Sequence, residues 1–121
     1  MEREFTVPGT PVPKGSKNVG RYGQVYEQGG ARLKEWLSAV AQVSMLNRRH
    51  AYFDRECGVD LIFRVRRIGD VDKLARGVLD GLQQGGLLAD DKFVTWLSVE
   101  RQRVASPKEV GCEVRIWTLD D

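Results

Sequence analysis

The feature that most constrains the fold is a change of hydrophobic period in the middle of the chain. From Cys57 to Val65 apolar residues alternate with mostly polar ones, which is the pattern of a half-buried strand. After Asp70 apolar residues recur every three or four positions, as in a helix, and Gly85 and Gly86 mark its end. The sequence therefore predicts a strand that leads through a short turn into an amphipathic helix, with Asp70 as the N-cap.

The same patterns assign the remaining segments. Residues 3–7 alternate and stop at a Pro-Gly pair, which predicts a strand, and residues 31–47 have apolar positions at helical spacing. Residues 93–104 and 110–118 are strand-like and joined by a short turn, so we expect a β-hairpin. Residues 8–30 contain three prolines and six glycines, which predicts a long flexible loop without regular structure.

The resulting order is β-loop-α-β-α-β-β, which predicts an α+β fold with a mixed sheet of about four strands and two helices on one face. A chain of 121 residues suits a single domain spanning residues 1–121. Hydrophobic residues at 41% and charged residues at 30% exclude a disordered chain. Cys57 and Cys112 lie in apolar runs, so we expect reduced thiols in the core.

Hydropathy gives no sign of a membrane segment or of a signal peptide. No apolar run approaches the roughly 18 residues that a membrane-spanning helix requires, and the first four residues are mostly charged rather than apolar. We therefore expect a cytoplasmic protein that does not enter a membrane.

The distribution of charge is more informative than the net charge of +2. Residues 8–34 carry five basic side chains and one acidic one, and Arg64, Arg66 and Arg67 directly precede Asp70. Basic groups beside carboxylates suit a site that attracts a polyanion and binds a cation, although each cluster alone is equally well explained as a solvated face. The candidate contacts to a polyanion such as DNA are Lys14, Lys17, Arg21, Arg66 and Arg67.

Two acidic pairs adjoin predicted strands. Asp70 and Asp72 follow one strand, and Asp90 and Asp91 precede the next. If these strands are neighbours, we expect the end of one to meet the start of the other, so that the carboxylates share one ion. Mg²⁺ prefers such oxygen ligands and promotes phosphodiester hydrolysis. A fold that holds Asp91 too far from Asp70 and Asp72 to share an ion would overturn the prediction of a nuclease.

A basic residue lies between two acids on the predicted helix. Asp72, Arg76 and Asp80 are spaced at four-residue intervals and line one face. Arg76 either holds the two acids in place or donates to a phosphate, where its planar donor group stabilises developing negative charge.

Each of these residues has a simpler explanation when it is taken alone. The acidic pairs suit a helix N-terminus and a turn, and Arg76 with Asp80 suits a surface ion pair. His50 suits a solvated helix end rather than a catalytic base. Only the combination favours chemistry. The tryptophans, expected in the core because they lie in periodic segments, are Trp36, Trp96 and Trp117.

The run from Gly69 to Leu82, followed by Asp90 and Asp91, resembles the signature of the RusA family of Holliday junction resolvases. That signature is approximately D-x-D-[N/K]-x-x-[K/R], then an Asp one helical turn later and an Asp-Asp pair about ten residues further on. The resemblance is strongest over the middle third of the chain. The predicted order of elements, the length and the Pro-rich basic loop of residues 11–18 agree with it elsewhere.

The resemblance implies a homodimer that binds branched DNA, specifically four-way junctions, and makes paired nicks with Mg²⁺, for which Mn²⁺ is a possible substitute. Many members are encoded by bacteriophages or prophages. The implied metal ligands are Asp70, Asp72 and Asp91. These three acids and Arg76, which stands where the best-known members have Lys, are the implied catalytic residues, and the supporting residues are Asp80, Asp90 and Lys73.

Two departures from the family pattern stand out. Lys73 replaces an Asn that is often found beside the second Asp, and Arg76 replaces Lys. The second exchange is not equal, because a guanidinium is bulkier and never loses its proton. Either change could alter the rate or the metal preference.

Other functions remain open on the sequence. A nuclease of the same fold could act on flaps, replication forks or phage packaging intermediates. A non-catalytic DNA-binding module would use the acids only as helix and turn caps. An RNA or nucleotide phosphohydrolase would share the acidic site but would not need the long basic loop or a dimer.

Overall fold

In a computed structural model of the chain, the backbone is described for residues 1–15, 17–19, 25–27 and 30–119, and the side chains for residues 1–15 and 30–119. A short 3-10 turn precedes the fifth strand. The elements are β1 (Glu2–Pro8), β2 (Lys17–Val19), β3 (Val25–Glu27), α1 (Gly30–Asn47), β4 (Cys57–Val65), α2 (Val71–Gln84), β5 (Val94–Arg103) and β6 (Gly111–Thr118).

Four of the strands form a mixed sheet in the order β1-β6-β4-β5. β6 is antiparallel to both β1 and β4, whereas β4 and β5 are parallel. Parallel neighbours need a crossover connection, and α2 provides it. The predicted α+β class, with four strands in the main sheet and two helices, is confirmed.

The predicted hairpin of β5 and β6 is wrong, because β4 lies between these two strands. β4 has its odd-numbered side chains buried from end to end, so it takes a central position. β5 is largely exposed on both faces, which suits the edge of a sheet. The alternating patterns correctly predicted that β5 and β6 are strands, but such patterns do not show which strands pair.

The expectation that residues 8–30 lack regular structure is also wrong in part. β2 and β3 lie within this segment and pair antiparallel with each other as a small separate sheet. Each has only three residues, too few for alternation to be recognised in the sequence.

The core lies between one face of the sheet and the two helices. β4 contributes Val59, Leu61 and Phe63, each at most 1% exposed, and the equivalent positions of β6 are buried in the same way. Alternate residues of β4 and β6 point to the opposite face, which no helix covers among the described residues. Cys57 and Cys112 are free and buried, as predicted, and burial raises the pKa of both thiols.

Within the described residues, neither helix combines the length and the apolar character needed to cross a lipid bilayer.

Two glycines allow α1 and α2 to approach closely. A Cβ atom on Gly81 would lie 2.5 Å from Val40 Cγ1, and one on Gly85 would lie 2.4 Å from the carbonyl oxygen of Ala41. α2 ends at Gln84, and Gly86 follows with a φ of 76°, a conformation that favours glycine. The predicted end of this helix is therefore confirmed, and α2 is fixed against α1 over its second half.

A matched pair of substitutions in α2 tests this helix contact. Gly81→Ala should lower the free energy of unfolding by about 1–3 kcal/mol, because the new methyl group overlaps the Val40 side chain. Gly77→Ala should raise it by up to about 1 kcal/mol, since its Cβ would meet neighbours only at 3.6 Å or more and alanine favours a helix. Urea unfolding measures both; equal effects would contradict the packing.

Candidate active site

Asp70 stands at the N-cap of α2 but does not cap it. Its backbone is extended, with φ −72° and ψ 117°, and its side chain makes no capping hydrogen bond. The carboxylate is 67% exposed, and the Lys73 ammonium lies 3.6 Å from it. The predicted position is confirmed, while the simpler explanation of Asp70 as a capping side chain is not supported. Its oxygen atoms therefore face solvent at the positive end of a helix dipole.

Asp72 lies in the first turn of α2 and is also exposed. It makes no hydrogen bond or ion pair with any described residue, and it borders a shallow cavity together with Arg76. Two exposed carboxylates thus lie at the start of α2, and among the described residues only Asp70 has a charged partner, Lys73. Such acids are well placed to hold a cation that neutralises them.

Asp90 and Asp91 lie at the start of β5, where they form a turn. Asp90 accepts a hydrogen bond of 2.9 Å from the backbone N–H of Lys92, and this bond is the main reason that the pKa of Asp90 is lowered. Asp91 is exposed in the 3-10 turn that follows. For Asp90 the simpler explanation as a turn residue holds, and its supporting role stays a prediction.

The expectation that the end of β4 meets the start of β5 is wrong, because the two strands are parallel. Cys57 at the start of β4 pairs with Val94, and Val65 at its end pairs with Arg103. Asp91 precedes Val94 and therefore lies at the end of the sheet opposite to Asp70. The nine residues of β4, at about 3.3 Å each, separate these ends by roughly 25 Å.

A hydrogen bond fixes the turn before α2 at the far end of β5. Arg101 donates from Nη1 to the carbonyl oxygen of Gly69. Arg101 lies ten positions after Asp91, so Asp70 cannot share an ion with Asp91 of the same chain. In residues 1–15 and 30–119, no group of three or more Asp, Glu, His or Cys side chains is placed to hold a metal.

The donor chemistry at the start of α2 nevertheless fits a hard divalent cation. Mg²⁺ is usually bound through one or two carboxylates together with waters and substrate phosphates. Asp70 and Asp72 supply two exposed carboxylates there. The fit is good for these two residues, and it is incomplete for the predicted set of three.

The charged residues that were predicted to interact along α2 do not pair with one another. Asp80 pairs with Lys14 rather than with Arg76, and the backbone N–H of Lys14 donates to the carbonyl oxygen of Lys73. Arg76 is exposed and forms no ion pair with described residues, so it does not hold Asp72 and Asp80 together. The alternative role of Arg76, contact with a phosphate, stays a prediction.

A basic cleft lies beside Asp70. Arg32, Arg66 and Arg67 line a cavity of about 520 Å³ next to Gly69. A second cavity of about 430 Å³ shares Arg32 and Gly69 with the first and reaches Asp70. We call this pair of cavities the basic cleft. Its basic side chains, Lys73 included in the second cavity, would attract a polyanion towards the carboxylates.

Arg32 is a candidate that the sequence did not single out. It was counted among the basic residues of residues 8–34, but at the start of a helix it looks like a solvated surface residue. Only the fold shows that Arg32 faces the same cavity as Arg66 and Arg67. The charge excess near the acidic motif was the one signal that could have found it.

Two predicted DNA contacts lie outside the described side chains. Lys17 is described only by its backbone, in β2, and Arg21 lies outside the described residues altogether. Lys14 is described, and its ammonium group binds Asp80. Arg66 and Arg67 are exposed in the basic cleft.

The aromatic expectations are only partly met. Trp36 is 2% exposed in the core as predicted, but Trp96 is 57% exposed, so its core assignment is wrong. Trp96 lies on the edge strand, on the face that no helix covers among the described residues. Trp117 is only half-buried on the same face, with the Arg115 guanidinium 4.9 Å from its ring, so its core assignment is wrong as well. His50 is exposed, as expected for a solvated helix end.

The α+β fold places Asp70 in a basic cleft and Asp72 two residues further along α2, an arrangement that suits a ligand carrying phosphate groups. The chain matches the family described as endodeoxyribonuclease RusA over residues 8–117. The protein therefore belongs to the RusA family of endodeoxyribonucleases, which are nucleases that act on DNA. A search of curated proteins found no match to the chain.

The basic cleft can be tested through the salt dependence of DNA binding. Arg32→Gln should weaken binding of a four-way junction and lower the slope of log K against log salt by about 1, because one phosphate contact is lost. Arg115→Gln is the matched control, since Arg115 lies outside the cleft and pairs with Glu2. Fluorescence anisotropy at several salt concentrations measures both; equal slopes would contradict the assignment.

Proposed function

We propose that the protein is a Mg²⁺-dependent endonuclease that resolves four-way DNA junctions as a homodimer. The observation that carries the proposal is the position of Asp70 in the basic cleft, with Asp72 two residues further on in the first turn of α2, in a chain of the RusA family. The start of α2 exposes both carboxylates, and Asp70 shares a cavity with Arg32 and Lys73, which suits a phosphodiester substrate. Mn²⁺ is expected to substitute for Mg²⁺.

The acidic residues hold the cation. Asp70 and Asp72 of one chain would contribute carboxylate oxygens, and a bound Mg²⁺ would supply charge neutralisation at the phosphate and a more acidic water. In this arrangement Lys73, whose ammonium lies 3.6 Å from the Asp70 carboxylate, limits the repulsion between the carboxylates and the approaching DNA.

The basic residues position the DNA. Arg32 lies on α1, and Arg66 and Arg67 lie in the turn after β4, so together they can contact several phosphates along one strand and direct it towards Asp70. Arg76, one turn after Asp72, has five N–H donors and no internal ion pair among the described residues. It would donate to the scissile phosphate, where charge increases in the transition state.

The third predicted ligand requires a second chain. Because β4 and β5 are parallel, Asp91 and Asp70 of one chain lie at opposite ends of the sheet. A two-fold dimer can bring the partner's Asp91 to the Asp70 end and would do so twice, once for each subunit. A four-way junction has a matching two-fold symmetry and two equivalent strands to cut. The homodimer therefore accounts both for the separated acids and for paired nicks.

The activity is tested by incubating labelled four-way junction, flap and linear duplex with the protein in Mg²⁺, in Ca²⁺ and in chelator. Symmetrical nicks in the junction alone, and only with Mg²⁺, are expected. Asp70→Asn should keep junction binding within about twofold and lose at least 100-fold in cleavage rate, since a ligand is lost but the basic cleft is not. Cleavage of flaps instead of junctions would favour the alternative function, a nuclease of the same fold that acts on flaps. Unchanged cleavage by Asp70→Asn would contradict the metal site.

Mixed dimers test whether Asp91 acts across the subunit interface. Asp70→Asn and Asp91→Asn homodimers should both be inactive. After joint refolding, the mixed dimer retains one complete site, made by Asp70 and Asp72 of one chain and Asp91 of the other, so single nicks should return. Asp70→Asn mixed with Asp72→Asn is the control, because every site then carries one substitution. No recovery in the first mixture would show that Asp91 is not shared between chains.

A further inference from the structure

The segment that follows β1 lines the basic cleft. We call this segment, residues 10–15, the strap. Thr10 and Pro13 line the larger cavity of the cleft, and Val12, Pro13 and Gly15 line the smaller one. The place of the strap in the fold therefore affects the shape of both cavities.

The two halves of the strap are held in different ways. In the first half Pro11 and Val12 are buried, and Val12 belongs to the core. In the second half Pro13 is exposed, and Lys14 and Gly15 are only partly buried. The second half therefore gains less from apolar burial, and it depends more on polar contacts to stay in place.

Two polar contacts join the second half of the strap to α2, and both come from Lys14. Its backbone N–H donates to the carbonyl oxygen of Lys73 over 3.1 Å, and its ammonium group pairs with the Asp80 carboxylate. The side chains of this ion pair are 37% and 29% exposed, so water screens them only in part. The helix that carries Asp70 and Asp72 at its start thus also holds the strap.

Asp80 is too far from the start of α2 to act on an ion that is held there. It lies two helical turns after Asp72, which is about 12 Å along the axis at 1.5 Å per residue. Among the described residues the polar partner of the Asp80 carboxylate is Lys14. The contacts of Asp80 therefore point to the strap and not to the metal site.

We propose that Asp80 is a positioning residue for DNA binding, which holds the strap against α2 through Lys14 and so keeps the basic cleft in the shape that admits a DNA strand beside Asp70. The charge of Lys14 then serves the attachment of the strap rather than a contact with a phosphate. The proposal rests on the proposed function for the identity of the ligand, whereas the attachment of the strap does not depend on it.

Amide hydrogen exchange, followed by NMR without DNA or Mg²⁺, tests the attachment. Asp80→Asn keeps the size of the side chain but removes its charge, so the Lys14 amide should lose about three- to fivefold in protection, the weight of a partly exposed ion pair. The Leu74 amide is the internal control, because it donates to the Asp70 carbonyl oxygen at the start of α2. An equal loss at both amides would show that Asp80 only stabilises α2, and no loss at Lys14 would contradict the attachment.

A charge exchange and a matched control sharpen this measurement. Lys14→Glu combined with Asp80→Lys reverses the ion pair and should restore protection of the amide at position 14 to within about twofold of the unmodified protein. Glu113→Gln is the control, because it removes an ion pair of similar exposure with Arg64, 32% and 40%, on the sheet face that no helix covers among the described residues. It should leave the strap unchanged.

Binding and cleavage of a labelled four-way junction test the consequence for DNA. Asp80→Asn should raise the Kd, measured by fluorescence anisotropy with Ca²⁺ in place of Mg²⁺, about three- to fivefold, and the charge exchange with Lys14→Glu should reverse this rise. The kcat at saturating junction in Mg²⁺ should stay within about twofold, because Asp70 and Asp72 are unchanged. A change in Kd without a change in kcat is the result expected of a residue that shapes the cleft.

Two other roles give different results, and either result overturns the proposal. If Lys14 contacts a phosphate directly, the charge exchange fails to restore binding and lowers the slope of log K against log salt by about 1. If Asp80 acts on the metal, Asp80→Asn lowers kcat and raises the Mg²⁺ concentration needed for half of the maximal rate. An unmodified protein that cuts no junction overturns the proposed function, whereas exchange at position 14 still decides whether Asp80 holds the strap.

Discussion

The parallel pairing of β4 with β5 is the constraint on which the rest of the structure depends. It requires the crossover through α2, and it places Asp70 and Asp72 at one end of the sheet while Asp91 remains at the other. It also leaves β5 at the edge, because β4 already pairs with β6 on its other side. The distribution of the acidic residues and the exposure of β5 therefore have the same cause.

The sequence predicted elements far better than it predicted their pairing. Hydrophobic periodicity and the positions of Gly and Pro located both long helices and the four main strands, because those signals are local to each segment. Pairing is decided between segments. The short link before β6 favoured a hairpin, yet the more completely buried β4 takes the place between β5 and β6. Trp96 was misplaced for the same reason, since period does not distinguish an edge strand from a central one.

In the candidate site, too, residues of one local motif could be predicted, whereas residues that only the fold brings together could not. Asp70 and Asp72 could be found because they lie two residues apart in one motif, and the structure leaves both carboxylates exposed. Arg32 could not be found, since only the fold brings the start of α1 and the turn after β4 to the same cavity. The partner of Asp80 could not be predicted from the sequence either, because Lys14 lies 66 residues away along the chain.

The distance between Asp91 and Asp70 would count against a shared metal if the single chain were the active unit. A second chain that supplies Asp91, as in the homodimer proposed above, would remove that objection. In the proposed homodimer the ligand set would be complete only across the subunit interface, so metal binding would depend on assembly. A lone subunit would then lack a complete ligand set, and isolated nicks in DNA would be avoided before a junction has engaged both subunits.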